Sequence, residues 1–100
     1  MANFGMLTAY GPTECVYSVL KSIPGASEHP RMLAIGEATL WAEWNDVDEC
    51  TDIGVYDPER TGLAAAVYDA LTAQTDYDLE WYDEDTADLL AERKSPVVVA

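Results

Sequence analysis

The chain has 100 residues, of which 49% are hydrophobic and 10% are aromatic, so it has the length and the apolar content for one small folded domain over residues 1–100. A disordered acidic tail would lack those aromatic residues. The net charge of −14 results from 19 acidic and five basic residues. That balance excludes the broad basic patch on which direct binding of DNA or RNA depends.

The acidic residues are concentrated in one part of the sequence. Residues 1–36 carry no net charge, whereas residues 37–92 hold 17 acidic residues and one basic residue, Arg60. Charge of one sign on one part of a surface repels itself and destabilises the compact state. We therefore expect compensation from a cationic partner, from metal ions or from a high-salt habitat.

The first third of the chain predicts a strand followed by a helix. Residues 3–10 are short, apolar and roughly alternating, which favours a strand. Gly11-Pro12-Thr13 supplies a turn and a candidate helix N-cap. The next apolar residues recur with helical spacing on one face, which predicts a helix; they are Val16, Val19, Leu20 and Ile23. The Pro24-Gly25 pair ends this helix, and residues 24–31 are predicted to form a loop.

Residues 32–44 fit two patterns. Leu33, Leu40, Trp41 and Trp44 make a helical stripe, but residues 38–44 also alternate as a strand would. Gly36 disfavours a continuous helix, so we predict a strand at 38–44. Residues 45–49 then form a turn into a second strand at 52–57.

The second helix has a clear beginning. Asp57 is a favourable N-cap residue, Pro58 suits the first helical position, and Glu59 suits the first turn. An apolar stripe then continues to about Gln74; its members are Leu63, Val67, Ala70 and Leu71.

After that helix, residues 76–82 alternate between apolar and polar side chains, which predicts a half-buried strand with an acidic outer face. Residues 83–85 are expected to cap a short last helix that carries Leu89 and Leu90 and ends at Arg93 and Lys94. The tail at 96–99 is a candidate edge strand.

This order of elements predicts an α+β domain, an antiparallel sheet with helices on one face. It corresponds to the ferredoxin-like βαββαβ order with an added C-terminal helix. The alternative is a more helical protein in which residues 30–44 form a helix. Either fold hosts many unrelated functions and identifies none of them.

Metal-binding and catalytic patterns are incomplete in this sequence. The stretch from Asp46 to Cys50 begins like a calcium loop but lacks the oxygen ligand and the glycine that such a loop needs. His29 is the only histidine, which excludes multi-histidine zinc sites. We therefore predict no metal, no cofactor and no catalytic residues.

The sequence also bears on compartment. Cys15 and Cys50 are expected to be two buried thiols in a reducing environment, with a single disulfide between them as the alternative. The chain has no leader-like segment and no run of the ~20 apolar residues that a membrane span needs, so we predict a cytoplasmic protein.

Residues 7–14 resemble the Tyr-Gly-Pro-Thr-Glu motif of adenylate-forming enzymes, in which it helps to position ATP. The resemblance covers five to eight residues of 100. The Tyr-x-x-Gly-Asp and Gly-Glu-Leu elements of that family are missing, and its domains are several times longer. We interpret the segment as a strand–turn–helix junction.

The charge pattern suits a protein that occupies a cationic surface. Carboxylates that alternate along one face of a strand are about 6.6 Å apart, and they can form bidentate pairs with arginine side chains. Neighbouring aromatic residues would anchor the contact. The predicted partner-binding residues are Asp46, Asp48, Glu49, Asp52, Asp76, Asp78, Glu80, Asp83, Glu84, Asp85, Asp88, Trp81 and Tyr82.

In size and composition the chain is similar to the small acidic inhibitors with which phages oppose restriction and CRISPR complexes, and to acidic immunity proteins that neutralise nuclease toxins. This resemblance implies a non-enzymatic nucleic-acid mimic whose partner is a basic nucleic-acid-binding protein. The alternatives are a small structural or adaptor subunit, and a halophilic domain whose acidity only keeps it soluble. An enzyme is the least favoured reading, and the oligomeric state is left open.

Overall fold

A computed structural model describes residues 4–30, 32–83 and 86–94. Within these residues, seven antiparallel strands form one sheet in the order β2-β3-β4-β5-β1-β6-β7. The elements in chain order are β1 (Phe4–Ala9), α1 (Thr13–Lys21), β2 (Ser27–His29), β3 (Met32–Ile35), β4 (Ala38–Asn45), β5 (Cys50–Tyr56), α2 (Leu63–Gln74), β6 (Leu79–Asp83) and β7 (Leu89–Arg93).

Both helices lie on the same face of the sheet. Helix α1 contacts β4 and β5, helix α2 contacts β1 and β6, and the two helices contact each other. The core lies between helices and sheet. Because side chains alternate along a strand, only every second strand residue reaches this core; the largest fully buried side chains include Leu7, Leu20, Leu33, Leu40, Ile53, Leu71 and Leu79.

The α+β class and the one-sided helices confirm the coarser prediction, but the ferredoxin-like order is wrong, because the sheet is larger. The four strands that the sequence predicted are neighbours within it, as β4-β5-β1-β6. The alternative of a helix over residues 30–44 is also wrong. Strands β3 and β4 occupy that stretch and pair through Leu33 opposite Leu40.

Two predictions of local structure are wrong, because the segments concerned form strands. The predicted loop at 24–31 contains the three-residue strand β2, which pairs with β3 through Glu28 opposite Leu33. The predicted last helix is strand β7, which pairs with β6 through Trp81 opposite Ala91. In both cases a neighbouring strand offers backbone hydrogen-bonding partners that no local pattern reveals. The tail at 96–99 lies outside the described residues.

Helix α2 begins at Leu63 rather than at Pro58, yet Asp57 still caps it. The Asp57 carboxylate accepts hydrogen bonds from the backbone N–H groups of Thr61, Gly62 and Leu63, and from the Thr61 hydroxyl, all at 3.0–3.1 Å. Gly62 directly before the helix has φ 83°, a conformation that glycine adopts without strain. The sequence thus identified the capping residue but missed the loop that intervenes.

These hydrogen bonds have a consequence for acid stability. Partial burial raises the pKa of Asp57, but the bonds from Thr61, Leu63 and Gly62 outweigh it, so the pKa is lowered overall. A carboxyl whose pKa is lower in the folded state stabilises the protein above its unfolded value of about 3.9. That contribution is lost as the pH falls through the lower, folded value.

We therefore expect Asp57→Ala to lower the free energy of unfolding by about 1–2 kcal/mol at neutral pH, as loss of a helix cap does. The difference from the wild type should shrink as the pH falls below about 4. Urea unfolding at both pH values measures it, with exposed Glu59→Ala as the control from the same loop. A difference that grows on acidification would contradict the assigned role.

Two smaller expectations have simple outcomes. Cys15 and Cys50 are both free thiols, but only Cys50 is buried, so the prediction of two buried thiols is half wrong. Burial and the nearby Asp52 and Asp48 carboxylates raise the pKa of Cys50 to about 11, which keeps this thiol protonated.

Within the described part of the chain, no helix is long and apolar enough to cross a lipid bilayer.

Candidate interaction face

The sheet face opposite the helices, hereafter the open face, carries a row of carboxylates that runs across the strands. Glu43 of β4 lies opposite Asp52 of β5, and Asp52 lies opposite Thr8 of β1. Thr8 lies opposite Glu80 of β6, which lies opposite Glu92 of β7. Since directly opposite residues share a face, these side chains form one line about 19 Å long, four strand spacings. We call Glu43, Asp52, Glu80 and Glu92 the acidic row.

The acidic row is electrostatically unfavourable for the fold. It contains two directly opposed like-charged pairs, Glu43 with Asp52 and Glu80 with Glu92, and such pairs destabilise a sheet. Lys94 Nζ lies 3.8 Å from a Glu92 oxygen, in a pair whose side chains are 67% and 44% exposed. Within the described residues, no Lys or Arg nitrogen comes within 4.0 Å of the other three carboxylates.

An apolar and aromatic patch lies beside the acidic row on the open face. The ring of Phe4 contacts that of Tyr56, with centroids 5.0 Å apart. The indole of Trp41 covers Gly54 so closely that a Cβ at this glycine would overlap the ring. Phe4 is 50% exposed and Met6 is 40% exposed. We call Phe4, Met6, Trp41, Tyr56 and Tyr82 the aromatic patch.

Two tyrosines connect to the acidic row through Glu80. The Tyr10 hydroxyl donates a hydrogen bond of 3.0 Å to Glu80 Oε1. This bond, together with some burial, raises the pKa of Tyr10 to about 12. The Glu80 carboxylate also raises the pKa of Tyr82. Both phenols therefore stay protonated at neutral pH, and they add polar contacts without adding charge.

The turn between β4 and β5 is acidic and is organised by one amide. Asn45 Oδ1 accepts hydrogen bonds from the backbone N–H groups of Val47 and Asp48 at 3.0 and 3.1 Å. Asn45 Nδ2 donates to the carboxylates of Asp48 and Asp52 at 3.3 and 3.2 Å. The turn therefore continues the negative charge of the acidic row beyond the end of the sheet, with Asp46 and Glu49 exposed on it.

The structure brings together some of the predicted partner-binding residues. Asp52, Glu80 and Tyr82 lie on the open face. Strand β6 begins at Leu79, so Asp76 and Asp78 lie in the preceding loop. The row expected along this strand, from Asp76 to Glu80, is therefore replaced by one that runs across the sheet.

Other predicted residues lie elsewhere. Trp81 is on the helix side of the sheet, with its ring 5.9 Å from that of Tyr68 in α2. Asp83 lies opposite Gly5 at the end of β6, where its Oδ1 accepts a hydrogen bond from Thr86 N. Asp88 is exposed in the turn before β7. Glu84 and Asp85 lie outside the described residues.

Sequence reasoning missed half of the acidic row, Glu43 and Glu92. For Glu43 a signal was available, because the alternation over residues 38–44 puts it on the same strand face as Thr39 and Trp41. Glu92 had none, because its segment was predicted to be helical.

Among the described residues, no three His, Cys, Asp or Glu side chains are grouped so that they could hold a metal ion. No protein-family model, curated protein or solved structure matches this chain.

Proposed function

We propose that this protein is a non-enzymatic inhibitor or immunity-type binder that lays its open face on the cationic nucleic-acid-binding surface of a partner protein. The observation that carries the proposal is the acidic row, which contains two directly opposed pairs of carboxylates. Among the described residues, three of its four carboxylates have no Lys or Arg nitrogen within 4.0 Å. An arrangement that destabilises the free sheet is stabilised when a cationic surface covers it.

The spacing of charge supports a nucleic-acid mimic. The four carboxylates are separated by one, two and one strand spacings, about 5, 10 and 5 Å, so their mean separation is about 6 Å. One strand of duplex DNA carries a charge about every 3.4 Å of axis. The acidic row alone thus has a charge density of the same order, and Asp46, Asp48 and Glu49 add to it at the turn. Arginine and lysine side chains that contact phosphates would meet carboxylates at comparable separations.

The aromatic patch distinguishes this proposal from acidity that serves solubility alone. A solubilising surface avoids exposed apolar groups, yet Phe4 and Met6 are 50% and 40% exposed beside the acidic row. Aromatic anchors surrounded by charge are typical of interfaces. The combination favours a binding face over a halophilic surface.

The test compares two variants of equal net charge. One replaces the acidic row, with Glu43→Gln, Asp52→Asn, Glu80→Gln and Glu92→Gln. The control replaces four exposed acids that do not lie in the acidic row, with Glu14→Gln, Glu37→Gln, Glu59→Gln and Asp69→Asn. Each immobilised protein is exposed to a lysate at two salt concentrations, with duplex DNA as competitor, and the captured proteins are identified.

We expect the wild type and the control to capture nucleic-acid-binding proteins that duplex DNA displaces, and capture should weaken as salt rises. The acidic-row variant should lose at least about tenfold of that capture. Equal loss in both variants would show that bulk charge acts rather than the open face. Capture that DNA does not displace, or no capture by the wild type, would refute the mimic.

A further inference from the structure

A groove at one end of the sheet lies between the β1–α1 turn and the β4–β5 turn. The groove is shallow and open to solvent and has a volume of about 440 Å³, which is within the range of sites for small ligands. Its two aromatic residues are both well exposed, Trp44 by 52% and Tyr10 by 41%. We call this the turn groove, lined by Tyr10, Gly11, Pro12, Thr13, Trp44 and Glu49.

Hydrogen bonds hold one side of the turn groove. The buried Thr51 hydroxyl donates a hydrogen bond of 2.8 Å to the Gly11 carbonyl, and it lies 2.9 Å from the Thr13 hydroxyl. Tyr10 is held by its bond to Glu80 and by a backbone bond from its N–H to the Asp78 carbonyl at 3.0 Å. These contacts fix the Tyr10–Thr13 side of the groove before any ligand arrives.

The lining combines aromatic rings with negative charge. Within the described residues, the Glu49 carboxylate has no hydrogen-bond or ion-pair partner, and no Lys or Arg lines the groove. The Tyr10 hydroxyl is committed to the Glu80 carboxylate, which places further negative charge next to the groove. Aromatic faces and a free carboxylate together favour a cation.

We propose that the turn groove binds one arginine side chain of the cationic partner. A guanidinium group stacks on aromatic rings and pairs with a carboxylate through two parallel hydrogen bonds, neither of which a lysine ammonium does as well. This inference rests on the proposed function, because it names the group by which the partner is anchored at the end of the sheet, where Tyr10 links the turn groove to Glu80 of the acidic row.

The test uses single amino-acid probes rather than the partner. N-acetyl-arginine amide is titrated into the whole chain, and binding is followed by the NMR signal of the Trp44 indole N–H. That signal is assigned by its loss in Trp44→Phe. N-acetyl-lysine amide and N-acetyl-leucine amide are the comparison probes. The variants are Trp44→Leu, Glu49→Gln and the control Glu59→Gln, an exposed carboxylate outside both the groove and the acidic row.

We expect the arginine probe to shift the Trp44 indole signal with a millimolar dissociation constant, at least about fivefold tighter than the lysine probe. Trp44→Leu and Glu49→Gln should each weaken binding, whereas Trp44→Phe and Glu59→Gln should retain it. The two Trp44 variants are followed through backbone signals of the groove. Because Trp44 is exposed, these variants are expected to fold, which their spectra check.

Three results would overturn the inference. The first is that the leucine probe binds more strongly than the arginine probe. The second is that the arginine probe shifts signals near carboxylates all over the surface and that these shifts persist in Trp44→Leu. The third is that the arginine probe does not shift the Trp44 indole signal. Each leaves the proposed function standing, because capture through the acidic row is measured separately. Conversely, arginine binding in the groove with no capture of a nucleic-acid-binding protein would refute the proposed function, and with it the assignment of the arginine to such a partner, while the groove itself would still bind arginine.

Discussion

Neutralising the acidic row is expected to make this protein more stable while it removes partner capture. The variant with Glu43→Gln, Asp52→Asn, Glu80→Gln and Glu92→Gln should gain about 0.5–2 kcal/mol in the free energy of unfolding at low salt. The reason is that it removes two directly opposed like-charged pairs at about 0.2–1 kcal/mol each. The amides preserve the acceptor oxygens that Tyr10 and Asn45 use.

Urea unfolding at low and high salt measures this effect. Added salt should stabilise the wild type more than the variant, because salt screens repulsion that the variant no longer has. The control with Glu14, Glu37, Glu59 and Asp69 neutralised should gain less at the same net charge, since those residues are not paired across strands. If the variant is less stable than the wild type, the carboxylates of the acidic row do not destabilise the free protein, and the premise of repulsion is wrong.

Such a gain would be informative about function. A surface whose removal stabilises the fold is retained for a reason other than stability. The same repulsion, relieved by a cationic partner, adds to the affinity for that partner and makes the affinity sensitive to salt. Stability and capture are therefore expected to change in opposite directions in this variant.

Removing Arg93 is expected to be the most damaging single change to a charged residue. From β7 its guanidinium reaches the end of α2 and the following loop. Nη1 donates to the Thr72 carbonyl at 2.8 Å, and Nη2 donates to the Tyr77 carbonyl at 2.6 Å and to Thr75 Oγ1 at 3.2 Å. Nε donates to the same Tyr77 carbonyl at 3.1 Å. One cation thus joins the edge strand to the C-terminus of the helix, where positive charge is favourable.

We expect Arg93→Met, which keeps the apolar stem, to lower the free energy of unfolding by about 2–4 kcal/mol, because charge-assisted bonds are lost and carbonyls are left without them. The melting temperature should fall by about 10 °C or more. Arg93→Lys should recover only part of the loss, since an ammonium does not reproduce the planar fork. Lys94→Met is the neighbouring control and should cost about 1 kcal/mol or less. Equal losses in Arg93→Met and Lys94→Met would contradict the bridging role.

The comparison of Arg93 with its prediction shows how local patterns mislead. The sequence placed this cation at the C-terminus of a helix, and its favourable partner is indeed a helix end. That helix is α2, more than a dozen residues earlier in the chain, rather than a helix of its own. Asp57 behaves in the same way, since it caps α2 across a loop instead of starting it directly. The sequence shows that Arg93 favours a helix C-terminus and that Asp57 favours a helix N-terminus, but it does not show how far along the chain that helix end lies.

The sequence by itself determined that the surface is strongly acidic. It also determined the apolar stripes of the two helices, at Val16–Leu20 and Leu63–Leu71, and the alternation that directs Leu79 inward and Glu80 outward. These features depend on composition and on residues a few positions apart. Only the tertiary structure decided that β2, β3 and β7 extend the sheet, and that the acids form a row across it. Opposition of Asp52, Thr8 and Glu80 joins segments from distant parts of the chain, and a shift of one residue in the register of any pair would move a side chain to the other face.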